Sequence, residues 1–237
     1  MDINPIPGFY EPVSAMTHLG GAAVFVALGV RLLRRARGSR ARVAFFAVYA
    51  FSSVFLLSMS GVYHMLPEGS RGRDVLGRLD YAGIFVLIAG THTPFQGLFF
   101  RGVARWAPLV LMWLAVATGV TLFSVFYHDL PPGLGISVFL LLGWIAGVSG
   151  VIVWRRVGTS ELRLFLGGGV AYSVGAIIMG AGWPTLIPGV FGSHELWHLA
   201  VLGAMTMHWR FLFSYAHYPT SGPIGKGIGG HPLEPSN

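Results

Sequence analysis

The sequence predicts an all-α, polytopic membrane protein, a single bundle of seven transmembrane helices, and three observations carry that prediction. Hydrophobic residues make up 54% of the 237 positions and charged residues only 11%, with a mean hydropathy of +0.65, far from the mixture of a soluble domain. Apolar stretches close to the ~20 residues that a bilayer helix requires recur along the whole chain. Arginine gathers in alternate short loops, the pattern by which membrane proteins set their orientation.

The amino-terminal MDINPIPGFYEPVSAMTH has no basic segment leading into an apolar core with a small-residue cleavage site, so insertion is expected to begin with the first apolar helix. The spans are expected at 17–33, 42–66, 79–100, 106–127, 134–154, 162–182 and 194–216. Arg31, Arg34, Arg35, Arg37, Arg40 and Arg42 lie between the first two, Arg101 and Arg105 follow the third, and Arg155, Arg156 and Arg163 follow the fifth. The opposite loops hold Asp2 and Glu11, a mixed set of Glu68, Arg71, Arg73, Asp74 and Arg78, and Asp129. The amino terminus is therefore expected outside and the carboxyl terminus in the cytoplasm. Pro94 should kink the third helix, and Pro184 and Pro188 should end the sixth. Gly168, Ala171 and Gly175 give the sixth helix a small-residue face that admits a close neighbour. Loops this short hold no soluble domain, so residues 1–218 read as one membrane domain, followed by a Gly/Pro-rich tail over 219–237 that is expected to be disordered.

The net charge of +7 is almost wholly arginine, since Lys226 is the only lysine. Its confinement to loops fits orientation in a membrane rather than nucleic-acid binding. With no cysteine in the chain, the metal ligands on offer are histidine and carboxylate.

Polar groups are expensive inside a bilayer, so each one in or beside a span is a candidate functional residue. His194 and His198 of HELWH are four apart, on one face of a helix. On the same predicted outer side lie His18, Ser60, His64, Asp80 and His128. His64 is the best third ligand: Ser60 precedes it by four residues on the same helical face, and Asp80 starts the next helix after a short loop. His18 and His128 are the other candidates. His92 and His208 should lie too deep to share a metal with His194, and His18, His92 and His208 read most simply as hydrogen-bonded packing residues. Three neutral imidazoles with an open fourth position form a catalytic zinc site, in which water is activated near neutral pH. Asp80 would act as base, and Ser60 would steady a substrate carbonyl or an Asp80 oxygen. HELWH also fits H-E-x-x-H, in which Glu195 would be the base of a metalloprotease. Such a protease should carry a further ligand motif on a later helix, and no helix follows this one.

Four stretches together, EPVSAMTHLGG at 11–21, SGVYH at 60–64, RLDYAGIFVLIAGTHTPF at 78–95 and HELWHLAVLGAMTMHW at 194–209, resemble the haemolysin III branch of the progestin and adipoQ receptor family. That branch belongs to a wider group of seven-helix membrane hydrolases that includes alkaline ceramidases. The resemblance implies zinc on His64, His194 and His198, with Ser60 and Asp80 as the accompanying serine and aspartate. Adiponectin receptors, similar in these motifs, have a cytoplasmic amino terminus and an inward-facing metal site, whereas the arginines here predict the reverse. The expectation is a zinc-dependent hydrolase of lipid amides or esters in the plasma membrane, with a fatty-acyl substrate and its zinc towards the outer side. A zinc-stabilised lipid sensor is the alternative reading, followed by an intramembrane protease and a pore-forming haemolysin. For the last, charged residues line no continuous path through the spans.

Overall fold

A computed structural model describes residues 4–131, 133–157 and 159–217. Among them are seven α-helices: α1 (Pro12–Arg35), α2 (Arg40–Met65), α3 (Arg71–Phe99), α4 (Gly102–Val125), α5 (Leu134–Val157), α6 (Thr159–Ala181) and α7 (Ser193–Tyr215). The expected disordered tail, 219–237, lies outside the described residues. Six of the seven helices, α1 to α6, are long and apolar enough to cross a bilayer, and the protein is an integral membrane protein. At 23 residues α7 is long enough, but His194, Glu195, His198, His208 and Arg210 keep it too polar to count by hydropathy. The expectation of seven spans is thus met in helix number and, by apolarity, in six.

Helix ends follow local chemistry. The Ser39 and Ser70 hydroxyls accept from the backbone N–H groups of Arg42 and Arg73 and so cap α2 and α3. The buried Arg42 guanidinium donates to the carbonyls of Ala36 and Arg37, satisfying acceptors that the end of α1 leaves open. Arg35 does the same for Phe213 near the end of α7. The largest departure from expectation is at α3, which begins eight residues before the apolar run at 79. Its first two turns are polar but capped, with Asp74 in the first turn, where the helix dipole favours a negative charge. Arg71, Arg73, Asp74 and Arg78, expected in a loop, are therefore helical. Asp80, expected at a helix start, lies inside the helix. Pro94 sits within α3, and α6 ends at Ala181, before Pro184 and Pro188.

α3 is the most buried of the candidate spans and packs on α2, α4, α5 and α7, while α7 also packs on α6 and α1. Glycines set the closest approaches. A Cβ at Gly83 of α3 would come within 3.0 Å of the Leu56 backbone in α2. The expected small-residue face of α6 meets α7: a Cβ at Gly168 would strike the His208 ring, and one at Gly175 would meet Ala200 and Trp197. Interhelical hydrogen bonds accompany this packing, from Tyr49 to the Met205 carbonyl at 2.8 Å and from Trp209 to the Leu28 carbonyl at 3.0 Å. The outward faces carry bare apolar side chains such as Phe51, Leu111, Leu114, Leu141, Val148 and Ile177, as a lipid-facing surface should.

Candidate metal centre

The end of the bundle opposite the arginine-rich loops gathers the histidines. His64 is in the last turn of α2, and His194 and His198 open α7. The Nε2 atoms of His64 and His194 are 3.3 Å apart, and one ring nitrogen from each of His64, His194 and His198 lies within 4.8 Å of the others. Two imidazoles on one tetrahedral zinc ion would place their nitrogens about 3.3 Å apart, given Zn–N bonds of 2.0–2.1 Å. The three rings are near neighbours, with centroids 4.7 to 4.9 Å apart.

What orients them is outside the histidine motif. His64 Nδ1 is hydrogen-bonded to Glu11 Oε2. A carboxylate can only accept, so Nδ1 carries the proton and Nε2 presents its lone pair towards His194. Glu11 is held there by its own backbone, whose N–H donates to the His64 carbonyl at 2.9 Å, while Tyr10 donates to Met65. Its other oxygen accepts from Arg73 at 2.8 Å. Arg73 also donates to the Leu66 carbonyl and lies over the Tyr10 and Tyr63 rings. Burial would raise the Glu11 carboxyl, but the hydrogen bond with His64 and the neighbouring Arg73 guanidinium outweigh it and hold the group below its usual value. The sequence reading missed Glu11 and Arg73 as parts of this site. Glu11 did open one of the quoted motifs, and a carboxylate at the mouth of a polar cluster was the available signal.

The donor set of three imidazoles, two buried and one half-buried, with one steered by a carboxylate, fits zinc or a similar divalent transition metal. The cluster can hold a metal ion.

A cavity of about 420 Å³ opens beside these rings and is lined by His194, His198, Ser60, Asp80 and His18, while its remaining walls are mainly apolar. That size is within the range of ligand-binding cavities. Asp80 keeps some open surface and lines this space together with Ser60. The structure therefore brings Ser60, His64, Asp80, His194 and His198 to one end of the bundle, as expected. His64 itself is only 2% exposed and sits behind the cavity wall.

Three expectations change. His18, read as a hydrogen-bonded packing residue, stacks face to face on His198 with centroids 3.7 Å apart, and neither of its ring nitrogens has a hydrogen-bond partner. His128 follows the end of α4 and bonds Asp74 at 2.8 Å, so it is not with the cluster. Glu195, the base that the protease motif would require, has both oxygens engaged: Ser14 donates to Oε1 at 2.7 Å and the Gly192 N–H to Oε2 at 2.8 Å. It caps α7 and ties it to α1.

A family profile described as Haemolysin-III related matches residues 9–209. The chain is 30% identical over 199 residues to Hemolysin-3 of Bacillus cereus, which spans 83% of this chain and 87% of that one. It is 28% identical over 195 residues to a Hemolysin-3 homolog of Bacillus subtilis, spanning 81% and 88%. It is also 24% identical over 231 residues to an adiponectin receptor protein of Drosophila melanogaster, 88% of this chain but about half, 51%, of the receptor.

Proposed function

Since the chain belongs to the haemolysin-III-related family, in the branch of the progestin and adipoQ receptors that its motifs suggested, we propose that it is a zinc-dependent membrane hydrolase of lipid amide or ester bonds. The observation that carries this reading is the meeting of three imidazoles, a carboxylate and a hydroxyl at one end of a largely apolar cavity. His64, His194 and His198 would hold the zinc. When bound, the ion supplies Lewis acidity towards a carbonyl oxygen and towards water. Asp80 takes the proton of the attacking water and returns it to the leaving amine or alcohol, and Ser60 holds the Asp80 carboxyl in the orientation this needs. The apolar walls exclude bulk water and receive the acyl chain.

In this reading α7 is the seventh span, with His198 and His208 turned inward against α1 and α6. The protein sits in the plasma membrane with its amino terminus outside, its carboxyl terminus in the cytoplasm and its zinc towards the outer face. Arginines at the opposite helix ends support that orientation.

A second reading, a lipid sensor with structural zinc, is favoured by the depth of His64 and His198, each 2% exposed. Asp80→Asn separates the two. In proteoliposomes supplied with ceramides, acyl-amides and phospholipids, the hydrolase loses lipid turnover by at least about 100-fold while keeping its metal. A sensor shows no turnover in either form. The engaged oxygens of Glu195 argue against protease chemistry. The rings of Phe95, Phe99, Phe165 and Phe211, packed together on the arginine side, argue against an open pore.

A further inference from the structure

The cavity does not end at the metal-binding residues. It runs along α3 and α7 to His92 and His208 and is walled on the α6 side by Tyr172. His208 lies ten residues beyond His198 on α7, about 15 Å further along the helix axis, deep among apolar side chains.

The polar atoms there are conspicuously unpaired. His208 Nε2 lies 3.0 Å from the Phe165 carbonyl. A carbonyl only accepts, so Nε2 carries the proton and Nδ1 is a bare acceptor. That Nδ1 has no partner, nor does the Tyr172 hydroxyl or His92 Nδ1, although His208 and His92 are only 6% and 2% exposed. The Tyr172 and His208 ring centroids are 5.8 Å apart. Gly168 makes the place for His208, because a Cβ there would strike the ring. Buried polar groups in folded proteins are nearly always satisfied, and the three residues that carry these line a space that a ligand can enter.

We propose that the deep half of the cavity is a hydrogen-bonding subsite, built from His208, Tyr172 and His92, for a hydroxyl carried partway along the acyl chain of a lipid. A hydroxyl both donates and accepts. It can give its proton to His208 Nδ1 and accept one from Tyr172, while the apolar walls hold the methylenes on either side. A plain hydrocarbon chain would leave both groups unpaired. The proposal rests on the reading of the cavity as a lipid site and adds a selectivity to it: the preferred lipid is hydroxylated at a depth set by the distance from the metal end.

The test is a binding measurement, so it needs no turnover. Purified full-length protein is titrated with octadecanoic acid and its positional hydroxy isomers, read by displacement of a fluorescent fatty acid. A mid-chain isomer is expected to bind about tenfold tighter than the unsubstituted acid. Tyr172→Phe, which removes only the hydroxyl, should abolish most of that preference, and His208→Phe should do the same. Asp80→Asn should leave it intact. Equal affinity for all the acids in the wild-type protein overturns the subsite, since water alone then satisfies these groups, and leaves the lipid reading standing. Failure of every fatty acid to displace the probe overturns both.

Discussion

Glu11 lies before the first helix, yet it orients His64, a fully buried member of the candidate metal cluster. Its carboxylate fixes the His64 tautomer and is itself anchored by Arg73. Partners of this kind commonly change metal affinity by roughly 10–100-fold when lost, so Glu11→Gln should weaken zinc binding by that amount in a chelator competition without unfolding the protein. Glu195 has a different task. Glu195→Gln should keep metal and any lipid turnover, and lose about 1 kcal/mol of stability through its cap on α7, read as a lower melting temperature. Loss of turnover at full metal content would restore Glu195 as the base. The histidine pair on α7 was legible in sequence because helical periodicity alone places His194 and His198 on one face. The Glu11 and Arg73 contacts were not, because they join residues 53 and 62 positions apart through chain turns that no local pattern encodes. His18 was misread for a related reason: its stacking on His198 depends on how α1 leans against α7.

At the scale of the helices, the apolar stretches located all seven helices, six of which are apolar enough to span, because a spanning helix must be apolar over most of its length. It misplaced the start of α3, where two capped polar turns extend the helix beyond the apolar run. α7 falls short by apolarity for the opposite reason: it carries the polar chemistry inward and turns few apolar side chains outward, Leu199 among them. Glycine positions decide how closely the helices pack. At Gly83 the obstacle is Leu56 backbone, which cannot rotate away. Gly83→Val should therefore force α2 and α3 apart and cost about 1–3 kcal/mol, measurable as a drop in melting temperature in detergent. Gly20, with open space around its would-be Cβ, is the control and should accept alanine without loss of packing.

For the molecule as a whole, the functional polarity is one of ends. Arginines crowd one end of the bundle, histidines and acids the other, and a cavity runs inward from the second. Replacing Arg34, Arg35, Arg37 and Arg40 together by alanine should scramble the orientation of the first two helices, visible as mixed accessibility of a cysteine placed near the amino terminus. That segregation of charge was readable from sequence, as was the gathering of Ser60, His64, Asp80, His194 and His198, because alternating helices fix which ends meet. The cavity was not, since its walls are ordinary apolar residues whose spacing depends on packing. The central claim is that His64, His194 and His198 together bind zinc, and elemental analysis of the purified protein tests it most directly. Wild-type protein should carry about one zinc ion per chain, and His64→Ala and His198→Ala should each lose it while remaining folded. Zinc retained at the wild-type level in both variants would contradict the account.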